Sequence, residues 1–525
     1  MADWDGIVIG GGHNGLTCAA YLARAGARVL VLERNPVMGG GTTTSEVTLP
    51  GFRHNMHANY FIGFDLAPIV TDLELGQYGF EFLTPDVQHA CIFRDHRAFV
   101  IQKDLDKTVA SAARFSPKDA DQLARLYQRY AIDHRRFFAE LMFSPPRTPD
   151  EFRAAALAEG LDELGEIAGL RPYEAIDRHF EDEHIRVFFK KLLHIIHAND
   201  FTGVGMWFPN LVANVTASTL PVGGAASLPN ALAKLIEAHR GEVRINAHVS
   251  RILVKDGKAS GVVLADGNEI NSGFVVSGID FPQTIDLAGP TNFDAEIGLK
   301  ARNWRWTDEH SLMTLHLALD ERPSYRAVDF DPDVKDAYNV QFGADNTGDL
   351  LQMFDEMRAG LFPSRPAGNG CVNSMFDPTY APAGKHVAFW WPFASYELSG
   401  RAETWDSRRQ EYCAQLTKVW EHYAPNVSGD NVLASYLYTP YDIPRYNLSM
   451  VRGSVRLGAY TADQMGRNRP HALHADYRAE PVEGLYLCSS SSASGGGVNG
   501  APGYNAAGII AGDGLVDRWW PQFAD

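Results

Sequence analysis

The feature that most restricts this 525-residue chain lies at residues 5–33, DGIVIGGGHNGLTCAAYLARAGARVLVLE. A short apolar run, Ile7-Val8-Ile9, ends in Gly10-Gly11-Gly12-His13-Asn14-Gly15, which fits GxGxxG. An amphipathic segment follows, with Leu16, Ala19, Ala20 and Ala23 on one face and Gly26 at its end, and a second apolar run, Val29–Leu32, leads to Glu33. The order is strand, tight turn, helix, strand. Gly10 permits the turn, Gly12 lets the backbone approach a pyrophosphate, and Gly15 lets the helix pack closely on the sheet. The free N–H groups of the helix start, which carries His13 and Asn14, suit phosphate. Glu33 is placed to accept hydrogen bonds from ribose hydroxyls; an acid there suits a free 2′-OH and repels a 2′-phosphate, which favours FAD or NAD over NADP.

Composition narrows the partners. A net charge of −17 argues against nucleic acid and against an anionic membrane as main partner. No apolar run reaches the roughly 18–20 residues that span a bilayer. The opening MADWDGIVIG reads as the first strand rather than as a signal peptide. Five scattered cysteines without CxxC fit reduced thiols and a cytoplasmic setting, and they remove the dithiol of disulfide reductases.

Further along, His54 and His57 form an HxxH pair without a third ligand nearby, so no metal site is expected. Phe115–Asp182 is helical in pattern, with Ser116-Pro117 as a helix start. An amphipathic helix is expected over His184–His197, with His194 and His197 three apart. Phe201–Leu220 is apolar, aromatic and broken by Gly and Pro; it reads as a pocket wall, an interdomain seam or a surface resting loosely on a membrane. Ser227–His239 reads as a helix, and Asp256-Gly257 and Asp266-Gly267 as hairpin turns before a buried strand ending at Ser277-Gly278. Residues 281–470 are rich in aromatics, and alternation at Ser311–Leu319 and Lys385–Trp391 suggests a sheet bounding an apolar substrate chamber. The strand Leu485–Cys488 then leads through Gly495-Gly496-Gly497-Val498-Asn499-Gly500 into a helix expected over Ala501–Trp519. Gly495-x-Gly497-x-x-Gly500 also fits GxGxxG, but no strand follows, so a second nucleotide is not expected.

After Glu33 the chain continues Arg34-Asn35-Pro36-Val37-Met38-Gly39-Gly40-Gly41-Thr42, which resembles the extended dinucleotide motif of glutathione-reductase and amine-oxidase type flavoproteins, whose nucleotide is FAD. PGFRHNMHA, the block from PVGGAASLPNALAKLIEAHRG to VVLADG, TPYDIPRYN, DQMGRNRP and GLYLCSSSSASGGGVNGAPGYNAA carry a resemblance along nearly the whole chain to the phytoene-desaturase-related flavoproteins, nearest the pyridine nucleotide-disulfide oxidoreductase domain-containing protein 2 type. The resemblance implies an α/β fold: a Rossmann-like FAD-binding domain from residues 1–64, 215–285 and 470–525, and a mixed-sheet, helical substrate domain from 65–214 and 286–469. It implies FAD contacts from Gly10, Gly12, His13, Asn14, Gly15, Glu33, Arg34, Gly40, Gly41, Thr42, Val249, Ser277, Ser490, Gly497, Val498 and Asn499. Where relatives carry Gly, then His-Pro, and Arg-Asn after the APG turn, this chain has Ser489, Ala493-Ser494 and Tyr504-Asn505. Those departures make His57, Tyr504 and Asn505 the candidate acid/base or orienting groups. The expected activity is hydride transfer between FAD and a largely apolar or aromatic small molecule, with O2 or a quinone as acceptor. A redox-neutral isomerase or lyase, or a flavin-loaded non-catalytic partner, is the alternative. The sequence does not define an oligomeric state.

Overall fold

The computed structural model describes residues 3–193, 201–307 and 310–523. Strand β1 (Trp4–Ile9), helix α1 (His13–Arg24) and strand β2 (Val29–Leu32) form the expected βαβ unit. Gly10, with φ +95°, makes the turn between β1 and α1, a conformation that disfavours any side chain. β1 and β2 lie in a parallel sheet whose order is Glu242–Arg244, β2, β1, Glu269–Ser277, Leu485–Leu487. The long 269–277 strand also pairs with an antiparallel meander of Val249–Lys255 and Lys258–Leu264. The meander turn holds Asp256 at φ +52° and Gly257 at +77°, the pair of positive angles a tight hairpin requires.

Period-two alternation explains why this sheet is buried on both faces. Val8, Val29 and Val31 enter a core shared with α1, the helix Ser227–Ala238 and the C-terminal helix Ala501–Gly512. Ile7, Ile9, Leu30 and Leu32 enter the opposite core, with the meander and the helix Phe281–Ala288. The C-terminal helix lies against α1, and glycine makes that approach possible: a Cβ on Gly503 would sit 2.2 Å from the Asn14 carbonyl oxygen.

A second, mixed sheet runs Val432–Tyr438, Thr314–Leu319, His386–Ala394, Gly368–Cys371, Asn339–Phe342, Val87–Ile92, Ala98–Gln102. Its pairs are antiparallel except for 339–342 against 87–92. One face, with Leu315, Leu317 and Trp390, packs with Trp405 and Trp420 of the 20-residue helix Thr404–Tyr423. The other face turns Cys371, Phe389 and Trp391 toward Tyr60. Short helices between residues 105 and 192 cover one end; the second, Pro117–Leu126, has the Ser116 cap expected from sequence, whose hydroxyl accepts from the Asp119 N–H.

Three expectations change. The C-terminal helix stops at Gly512 rather than Trp519, because the chain turns back and stacks Trp519 on Tyr21. The 184–197 helix is seen as Glu183–Leu192, and His194 and His197 lie outside the described residues. Phe201–Leu220 contains the helix Trp207–Asn214, with Phe208, Pro209, Val212 and Ala213 buried. Among the described residues no helix is long and apolar enough to cross a membrane.

Replacing Gly503 by Ala is expected to cost about 1–3 kcal/mol by overpacking α1. Gly512→Ala, where a new methyl meets nothing within 4 Å, should be neutral or slightly stabilising. Thermal unfolding of the two variants separates the cases; equal melting temperatures would refute the crossing as drawn.

Candidate active site

The end of the parallel sheet opens into a cavity of about 340 Å³, too large for a packing defect. Its first limb is the cradle built by the βαβ unit. Gly10, Gly12, His13 and Asn14 line it at the start of α1, Glu33 and Arg34 at the end of β2, and Gly40 and Gly41 on the second glycine cluster. Gly12 caps α1 with extended backbone, and a Cβ built on it meets nothing within 4 Å, so it faces open space. Gly15 has a packing role instead: its Cβ would lie 2.4 Å from the Gly10 carbonyl oxygen. The Glu33 carboxylate is buried and accepts from the Gly11 N–H at 2.8 Å and the Asn35 N–H at 2.7 Å. Val249 lines the same limb at the start of the meander.

The C-terminal loop closes this limb. Ser490, Gly497, Val498 and Asn499 line it, and the His13 ring bonds the Gly497 carbonyl at 3.2 Å through Nε2. Burial pushes His13 down to about 4, so the imidazole is neutral at pH 7 beside the Gly497 carbonyl. The Asn14 amide donates to the Ser490 hydroxyl at 3.4 Å, while its Oδ1 is buried without a partner among the described residues.

The second limb is apolar and aromatic. Ile62, Leu193, Trp207, Leu211, Trp391 and Val455 form much of its wall, with Asn210, Asn214, Tyr60 and Arg456 as its polar members. His57 also lines the cavity; its ring packs edge-on to Tyr438 with centroids 5.3 Å apart. Its Nε2 is buried without a hydrogen-bond partner among the described residues, and burial lowers the imidazole to about 4. Nearby His54 bonds the Thr48 hydroxyl through Nε2 at 2.7 Å, and no group of three metal-ligating side chains forms among the described residues.

Several expected site residues stand off the cavity wall. Tyr504 donates its hydroxyl to the Pro521 carbonyl at 2.9 Å, and its ring packs on Tyr21 and Phe143, because this face of the C-terminal helix is turned to α1. Asn505 donates to the Met142 carbonyl and the Tyr477 hydroxyl, at 3.1 and 2.8 Å, and so staples the helix to the 142–144 segment. Neither side chain lines the cavity. Thr42 donates to the Gly39 carbonyl and shapes the glycine turn, and Ser277 bonds Thr284; Gly278 and Ile279 line the wall beside them. Sequence reading missed Asn447, Ser449, Met450 and Arg456, which reach the cavity from a stretch of turns with no helical or strand period. TPYDIPRYN marked that stretch without indicating its direction.

Cradle, acid and closing loop define a dinucleotide-binding protein. The sequence signature of the flavin containing amine oxidoreductase family matches residues 15–508, and the chain belongs to that family. It is 31% identical to a subunit of the limonene dehydrogenase of Castellaniella defragrans, over 99% of this chain and 96% of that one. It is 30% identical to pyridine nucleotide-disulfide oxidoreductase domain-containing protein 2 of Rattus norvegicus, over 97% and 93%. The phytoene desaturase (neurosporene-forming) of Rhodobacter capsulatus is 26% identical, over 94% and 90%. The resemblance read from the motifs therefore holds. A putrescine oxidase structure shares the fold with a TM-score of 0.62 at 14% identity, covering 98% of each chain. The protein is an FAD-dependent oxidoreductase, and its residues fit the cofactor: open space at Gly12 for the pyrophosphate, Glu33 for the ribose, and the unpartnered Asn14 Oδ1 for a donating hydroxyl.

Two tests follow from this geometry. Gly12→Asp should fold, since the new side chain enters open space, yet purify without flavin absorbance because a carboxylate occupies the phosphate position; full flavin content would refute the cradle. Asp280, buried at the cap of the 281–288 helix, accepts from the Gln283 N–H at 3.0 Å and is pushed up to about 7 by burial. The folded protein therefore keeps this proton to higher pH than the unfolded chain. The stability linked to it is complete below pH 3.8 and is lost as pH rises to about 7, about 4 kcal/mol in all. Asp280→Asn, which can still cap, should raise the melting temperature at pH 8 more than at pH 5. An equal change at both values would contradict the linkage.

Proposed function

We propose that this protein dehydrogenates a largely apolar small molecule in the second limb of the cavity, with FAD as hydride acceptor and His57 as proton acceptor. The observation that carries the reading is the wall itself. Apolar and aromatic side chains dominate the limb, and among the described lining residues Glu33 alone is acidic, at the nucleotide end. A protonated amine would lose its hydration there without gaining a counter-charge among those residues. The names of two relatives, one from a limonene dehydrogenase and one a phytoene desaturase, support a hydrocarbon-like substrate.

When bound, FAD accepts two electrons and one hydrogen from a substrate carbon as hydride. Forming a double bond also releases a proton from the neighbouring carbon. His57 lines the cavity and is neutral at pH 7, so it has a lone pair to receive that proton. Trp207 and Trp391 hold the carbon skeleton, while Asn210 and Asn214 orient a polar substituent. The apolar wall of the limb offers water few partners. O2 or a quinone would serve as electron acceptor, and comparing reoxidation by each identifies it. The five cysteines are free and buried, in keeping with a cytoplasmic setting.

His57→Ala should retain FAD and slow its anaerobic reduction by a cyclic monoterpene about 100-fold or more. Because His57 is held near 4, the wild-type rate should show no acid limb from this group between pH 6 and 8. A rate unchanged in the variant would remove His57 from the mechanism.

A further inference from the structure

Arg469 is among the largest fully buried side chains in the protein. Its guanidinium lies 5.0 Å from the Tyr460 ring centroid and 5.9 Å from that of Trp304. Each of its hydrogen bonds goes to a backbone carbonyl. Nε donates to Ser490 at 2.9 Å, Nη1 to Gln464 at 3.1 Å and Ala459 at 3.3 Å, and Nη2 to Ser490 at 2.7 Å and Arg456 at 2.8 Å. No carboxylate among the described residues pairs with it, and burial together with the neighbouring Arg456 cation disfavours its charge. A staple of carbonyl oxygens could be built from neutral amides. A buried cation without a carboxylate is costly unless an anion arrives.

The place of the guanidinium identifies that anion. Two residues whose carbonyls it holds, Ser490 and Arg456, line the cavity. The Ser490 hydroxyl in turn accepts from Asn14 in the first turn of α1. Tyr460, beneath the guanidinium, accepts from the Gly496 N–H at 2.6 Å and so fixes the Gly-rich loop that closes the cradle. Arg469 thus stands one residue layer behind the cofactor wall, buried where water does not screen its charge. FAD is the anion this fold brings to the wall, and it gains a further negative charge when its ring is reduced to the anionic form.

We propose that Arg469 is a buried electrostatic partner of FAD that favours the reduced cofactor and so raises its reduction potential. It is a positioning residue: it acts through the wall, and without it the reduced form loses more binding than the oxidised form.

The test uses the FAD-loaded protein and needs no substrate. The ratio of reduced to oxidised FAD is read at equilibrium with a reference redox dye in wild type, Arg469→Gln and Arg469→Lys. Arg469→Gln should lower the ratio about tenfold or more at the same solution potential, which is about 30 mV for two electrons. Arg469→Lys keeps the charge but loses the fork, so it should stay within about twofold of wild type. A wild-type ratio in Arg469→Gln overturns the proposal, as does a fall in Arg469→Lys equal to that in Arg469→Gln. Equal loss of affinity for both redox states also overturns it. Should Arg469→Gln fail to hold FAD, Arg469→Met takes its place beside Arg469→Lys: a tenfold fall in Arg469→Met with a retained ratio in Arg469→Lys supports the electrostatic role, and a wild-type ratio in Arg469→Met rejects it.

Discussion

Helix α1 can present its N-terminal N–H groups to a pyrophosphate because only hydrogen stands at Gly15 and Gly503. At the first, a methyl would strike the Gly10 carbonyl oxygen, which belongs to the turn itself; at the second, the Asn14 carbonyl oxygen, in the first turn of the helix. These approaches bring the start of the chain and its last helix to one place. The His13 to Gly497 and Asn14 to Ser490 hydrogen bonds then join the phosphate turn to the closing loop. Close backbone packing is what allows segments some 480 residues apart in sequence to form one cradle.

Charge within the cavity follows a consistent pattern. The acid, Glu33, lies at the ribose end with its oxygens already held by backbone N–H groups. His13 and His57 on the wall are kept neutral by burial. Cations stand at both ends, Arg34 beside Glu33, and Arg456 on the wall near the closing loop with Arg469 behind it. A site arranged this way gives a neutral hydrocarbon little to resist and gives electrons arriving on the cofactor a positive environment.

Local pattern made the first sheet legible. GxGxxG, the two apolar runs and the terminal acid each require a particular backbone conformation or contact, and Asp256-Gly257 marked a hairpin for the same reason. The substrate limb was less legible because its parts come from distant segments that share no period. Trp207, Trp391 and Arg456 lie in a helix, a strand and an irregular turn, and only the tertiary fold brings them together. Tyr504 and Asn505 misled for a related reason. They follow the closing loop directly in sequence, but entering a helix rotated their side chains away from the loop and toward α1 and the 142–144 segment. Closeness along the chain predicts a shared site only when the backbone keeps its direction.

The most direct test of the central claim compares two compounds with one carbon skeleton, a cyclic monoterpene hydrocarbon and its primary-amine derivative. Each is added anaerobically to the FAD-loaded protein while the flavin absorbance is followed. An apolar limb without an acidic partner predicts bleaching by the hydrocarbon and little or none by the amine. Bleaching by the amine alone would contradict the account, since it would require a counter-charge in the limb and return the protein to amine oxidation.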